Sequence, residues 1–143
     1  MMGTKDLPAG DYALQGLDRL AADPEFGQEY KESVLSNVVS QETTVNRIVS
    51  KIALGEADAG FAFISDVSPE MIGKVTRISV PDKYNVVGDF PVGVLSQSEY
   101  PEEAQAFLDL MMSSDGQAIL EKYGFIPVVQ AGASGGSAKA ATA

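Results

Sequence analysis

Cysteine, histidine and tryptophan are all absent from this chain of 143 residues. Without cysteine there are no disulfides and no thiol nucleophile, and without both cysteine and histidine there is no zinc site built on them. Losing histidine also removes the commonest general base. The missing cysteine suits a bacterial extracytoplasmic protein and leaves the cytoplasm open. No apolar run approaches the ~20 residues that span a bilayer. No calcium loop of the DxDxDG type occurs. The start, Met1-Met2-Gly3-Thr4-Lys5-Asp6, lacks the apolar core of a secretory leader. The expectation is a removed leader, or a chain that begins partway through a larger gene. Basic residues are few, 10 against 20 acidic, for a net charge of −10. That balance argues against nucleic acid and against an anionic membrane. It leaves room for a small anionic ligand, which backbone N–H groups and hydroxyls can hold without any basic side chain.

What is present centres on residues 36–64, SNVVSQETTVNRIVSKIALGEADAGFAFI. The pattern predicts a strand over Ser36–Val39, a polar loop, a helix, a glycine-bounded turn and a strand over Ala59–Ile64. Val45, Ile48, Val49, Ile52 and Ala53 recur at helical spacing. Thr43 is the expected cap, within the run Ser40 to Thr44. The free N–H groups and the dipole of such a helix start favour an anion. With a right-handed crossover the end of the second strand lies at the same edge, which makes a candidate crevice. An ordinary capped helix in a strand–helix–strand unit reads the same way, and such helices outnumber anion sites.

Residues 1–7 read as a ragged start. Pro8 opens a helix to about Ala22, with Tyr12, Ala13, Leu17, Leu20 and Ala21 on one face. A weak helix over 25–31 carries Glu25 and Glu29, with Glu32 just beyond; these read as a solvated face. Strands are expected over Val75–Val80 and Val92–Leu95, with Tyr84–Val87 extended. Helices follow over Glu102–Met112 and Asp115–Tyr123, the latter capped by Ser114 and ended by Gly124. Alternating strands and helices give an α/β class with a mixed sheet. The strand Val92–Leu95 lacks neighbours, so pairing with a second copy as a homodimer is one expectation.

Several blocks in order carry a resemblance: Pro8-Ala9-Gly10-Asp11-Tyr12-Ala13, Gly55-Glu56-Ala57-Asp58-Ala59-Gly60-Phe61-Ala62-Phe63, Asp89-Phe90-Pro91-Val92-Gly93-Val94-Leu95, and Ser114-Asp115-Gly116-Gln117 through Glu121-Lys122-Tyr123-Gly124-Phe125. Together they resemble the extracytoplasmic molybdate/tungstate-binding proteins of ABC transporters, over roughly residues 5 to 128. The resemblance implies a lobe of the type II periplasmic-binding-protein fold, a mixed central sheet flanked by helices. It makes 5–90 the second lobe, 91–128 a strand and helices belonging to the first lobe, and 129–143 a disordered tail. The ligand implied is molybdate or tungstate, held as a whole oxyanion by neutral donors, with no direct metal ligand and no cofactor. Donors are implied at Glu42, Thr43 and Thr44 and at Ala62 and Phe63. Many members place a tyrosine hydroxyl at the hinge, where this chain has Phe90. Other relatives carry Glu where this chain has Ala62, which favours the tetrahedral, backbone-held mode. The implied partner is a transporter permease, outside the cytoplasm. The N-terminal part of the first lobe has no counterpart here, so reduced or lost binding is expected. The alternative is a sensing or interaction module of the same fold, which in a regulator would come with a helix-turn-helix that this chain does not show. Catalysis is disfavoured by the missing histidine and cysteine.

Overall fold

The computed structural model describes residues 1–128. It divides into two compact units, Met1–Val92 and a second from Gly93 onward. The expected tail over 129–143 lies outside the described residues.

In the first unit the N-terminal segment is central. Strand β1 (Met2–Gly3) pairs in parallel with β2 (Gln41–Glu42), Met2 opposite Gln41 and Gly3 opposite Glu42. On the other side the Met1 amino group donates to the Ala59 carbonyl at 2.9 Å, and the Phe61 N–H donates to the Met1 carbonyl at 3.2 Å. Those two bonds form the parallel pattern with Gly60 opposite Met1. Met2 is only 2% exposed. The ragged start is therefore overturned: residues 1–3 stand between the two segments expected to be neighbours.

Helix α1 (Pro8–Ala22) has proline in its first turn and buries Ala9, Ala13 and Leu17 at i, i+4 and i+8. It stops at Asp23, ahead of Pro24. Helix α2 (Gly27–Ser36) runs further than expected and consumes the start of the predicted Ser36–Val39 strand. The Ser36 hydroxyl and the Asn37 amide both donate to the Ser33 carbonyl and close its end. Helix α3 (Val45–Ala53) buries Ile48 and Val49. Gly55, at φ 78°, turns the chain out of it in the left-handed region that glycine tolerates.

The sheet is smaller than predicted. Among the described residues it has two parallel strands, not a mixed set. Ala59–Ile64 makes the Met1 contacts and then enters a 3₁₀ turn at Ile64–Asp66. Val75–Val80, Tyr84–Val87 and Val92–Leu95 form no strands; Val75 makes one isolated bridge to Ile72. Tyr84 is buried, but other apolar residues of these segments stay exposed, Ile78 at 88% and Leu95 at 80%. A strand has no internal hydrogen bonds, so an alternating pattern without a partner stays irregular. Val92–Leu95, the strand expected to pair with a second copy, is thus irregular in this chain.

The second unit is a helical hairpin, α4 (Pro101–Met112) and α5 (Ser114–Lys122). Ser113, not Ser114, caps α5: its hydroxyl accepts from the Gly116 N–H at 3.2 Å. Phe107 and Leu110 of α4 stay exposed.

Candidate functional site

A half-open cavity of about 360 Å³ lies within the first unit, inside the range of ~300–1,000 Å³ usual for small-molecule sites. One wall is a face of α1, including Ala9, Tyr12 and Ala13. Facing residues are Phe61, Ala62 and Phe63, with Ile78 to Pro81 and Tyr84 to Val86. No aspartate, glutamate, lysine or arginine lines it. Most of the wall is apolar, with polar atoms from tyrosine hydroxyls, Ser79, Asn85 and backbone.

The backbone N–H groups of Ala9 and Ala62 have no partner among the described residues, and in the same wall neither do those of Ile78, Ser79, Val80 and Val86. Pro8 has no N–H, so Ala9 carries the first donor of α1, and Leu7 at the cap offers no side-chain oxygen. The Phe63 N–H is already used: it donates to Asp66 Oδ2 at 2.9 Å. Burial pushes the Asp66 carboxyl above its ordinary value, and the Phe63 N–H pulls it back. The Phe63 ring meets Tyr12 edge-on at 5.8 Å and Phe90 at 5.6 Å. Phe90 is 60% exposed and is not part of the cavity wall.

The predicted residues therefore separate. Ala62 and Phe63 line the cavity; Glu42, Thr43 and Thr44 do not. Thr44, not Thr43, is the cap residue of α3, and its hydroxyl makes no capping bond. The N–H groups of Thr43 and Thr44 have no partner among the described residues. Glu42 is committed elsewhere: its backbone belongs to β2 and its carboxylate, 4% exposed, takes hydrogen bonds from Lys51 Nζ at 2.7 Å and from the Ser40 hydroxyl. Lys51 first, then Ser40, hold that carboxyl below its ordinary range. Ala9 and Tyr12 were missed as cavity residues because the helical pattern of α1 reads simply as core. The clue was the proline at its start, which leaves the next N–H unpaired.

The segment that covers the cavity is tied down at the corner between α1 and α2. Asp23 accepts from the Tyr84 hydroxyl at 2.7 Å, from Lys83 Nζ at 3.1 Å and from the Glu25 N–H at 3.0 Å. Arg19 donates to the Asn85 carbonyl. The Glu25 N–H, then Tyr84 and Lys83, lower the Asp23 carboxyl to about 2.

Comparison with known proteins decides the kind of molecule this is. The family of bacterial extracellular solute-binding proteins matches residues 1–126. The chain belongs to that family. This solute-binding protein is 33% identical over 89 residues to the molybdate-binding protein ModA of Mycobacterium bovis and, equally, to that of Mycobacterium tuberculosis; the match covers 62% of this chain and 34% of theirs. It is 22% identical over 125 residues to a putative ABC transporter substrate-binding lipoprotein, YvgL, of Bacillus subtilis, covering 87% of this chain and 44% of that one. The chain thus spans between a third and a half of the length of these relatives. No solved structure matches it. No helix among the described residues is long and apolar enough to cross a membrane.

Proposed function

We propose that this solute-binding protein serves an ABC importer of molybdate or tungstate outside the cytoplasm, delivering the oxyanion to a permease and catalysing nothing. The observation that carries the reading is the 33% identity to proteins named for molybdate binding. The chemistry of the cavity is compatible with it. Neutral donors suit a whole oxyanion, since the metal arrives already coordinated and needs no protein ligand and no cofactor. Ala62 remains the best of the expected donors, now joined by Ala9 across the same cavity. Thr43 and Thr44 keep free N–H groups at the start of α3 and form the competing location. In this reading residues 5–90 serve as one lobe and 91–128 as elements of the other.

The test is an amide-resolved NMR titration of the ¹⁵N-labelled chain with molybdate, tungstate and sulfate to about 10 mM, which reaches binding worth roughly 3 kcal/mol. Saturable shifts at Ala9 and Ala62 with molybdate or tungstate, and weaker ones with sulfate, are expected. Shifts confined to Thr43–Asn46 would move the site to α3. The absence of any saturable shift would refute oxyanion binding by this chain.

A further inference from the structure

We infer that the Tyr12 hydroxyl is the side-chain donor to the bound oxyanion, held in place by Gly88 and Phe63; this rests on the function proposed above. Tyr12 stands one turn beyond Ala9 on the α1 face that lines the cavity. Its ring touches Phe63, the residue after Ala62, so the hydroxyl-bearing ring and the free Ala62 N–H belong to the same stretch of wall. The hydroxyl has no hydrogen-bond partner among the described residues, and it is not sealed from solvent. The other two tyrosines of the wall differ: the Tyr84 hydroxyl is spent on Asp23, and the Tyr30 ring packs edge-on against Phe26 and not against Phe63. In the row Tyr12–Phe63–Phe90 only Tyr12 has a hydroxyl to give.

The backing of Tyr12 is specific. Gly88 lies close against the ring, and a Cβ built there would fall 2.4 Å from Cε2 and 3.2 Å from the hydroxyl oxygen. Real Cβ atoms do not approach that closely, so any larger residue at 88 displaces the ring. A glycine against one side and Phe63 edge-on at another fix where the hydroxyl points, which lowers the ordering cost of using it. A hydroxyl donating to an anion makes a charge-assisted bond, stronger than a neutral one.

The experiment is the molybdate titration repeated on Tyr12→Phe, Gly88→Ala and the double variant, each with a thermal melt. Tyr12→Phe keeps the ring and its contact with Phe63. The expected result is an affinity about ten- to a hundredfold weaker at an unchanged melting temperature. Gly88→Ala should weaken binding too, yet add no further loss on top of Tyr12→Phe. Wild-type affinity in Tyr12→Phe overturns the assignment and leaves the proposed function standing. Failure of the wild-type chain itself to bind molybdate overturns the proposed function and this assignment with it.

Discussion

Helix α1 contains two glycines whose replacement by alanine should have opposite consequences. Propensity alone treats them alike: alanine in a helix gains up to about 1 kcal/mol over glycine. Their surroundings differ. At Gly10 a Cβ would sit 2.1 Å from the Thr4 carbonyl oxygen and 2.5 Å from that of Gly3. Both are backbone atoms beside β1, and the Thr4 N–H is itself bonded to Glu42 at 2.8 Å. No side-chain rotation relieves the overlap; α1 must move off β1. Overpacking costs about 1–3 kcal/mol, and rigid backbone places this case at the upper end. After the propensity gain, Gly10→Ala should lose about 2 kcal/mol, a fall of roughly 8–16 °C in melting temperature for a unit of this size. At Gly16 the nearest obstacle is the Tyr84 carbonyl at 3.2 Å, which a shift of a few tenths of an ångström relieves. Gly16→Ala should melt within about 4 °C of the parent. Circular dichroism at the helical band, by heat and by urea, reads both. A Gly10→Ala chain as stable as the parent, or indistinguishable from Gly16→Ala, would refute the close approach of α1 to β1.

Two further predictions concern charge. Asp23, lowered from its ordinary 3.8 to about 2, binds fewer protons folded than unfolded in that interval, so its contribution is present above pH ~4 and is lost as pH falls toward 2. Asp23→Asn should flatten this acid loss, seen as urea midpoints that change less between pH 5 and 2.5 than the parent's; equal slopes would sink the claim. Lys51→Met strips the buried Glu42 of its cation. The Glu42 carboxyl should then lose the largest cause of its lowering and move up toward its ordinary value, so the stability this group loses on acidification should shrink in the variant. Urea midpoints that fall with acid as steeply in the variant as in the parent count against the pairing.

The helices were legible because a helix is local. The apolar spacing of α3 and α4, the proline before α1 and Gly124 after α5 all report within one or two turns, and the structure agrees to within a residue or two. The sheet was not legible, since pairing depends on partners far along the chain. Ser36–Val39 has strand-forming residues, yet Ser33 anchors a helix end there and β2 begins at Gln41. VTRISV alternates correctly and still forms no strand for lack of a neighbour. Of the cavity wall, Ala62 and Phe63 were named from the resemblance, while the start of α3 was read from its helical spacing and the polar run before it. Nothing in a linear reading distinguishes Ala9 and Tyr12 as wall from Leu17 as core, because all lie on one face of one helix. That distinction comes from which segment crosses over them.

The central place of β1 also bears on how the unit forms in time. Met1 is bonded to a carbonyl 58 residues later, so this segment has no complete set of partners until residue 61 exists. Helices α1 and α3 can form from their own contacts, whereas β1 must wait for two distant segments, and the stretch 83–85 must reach back 60 to 66 residues to Asp23 and Arg19. Closing these long loops should therefore be the slow step, and the Met2 amide should gain its protection from hydrogen exchange only with the unit as a whole.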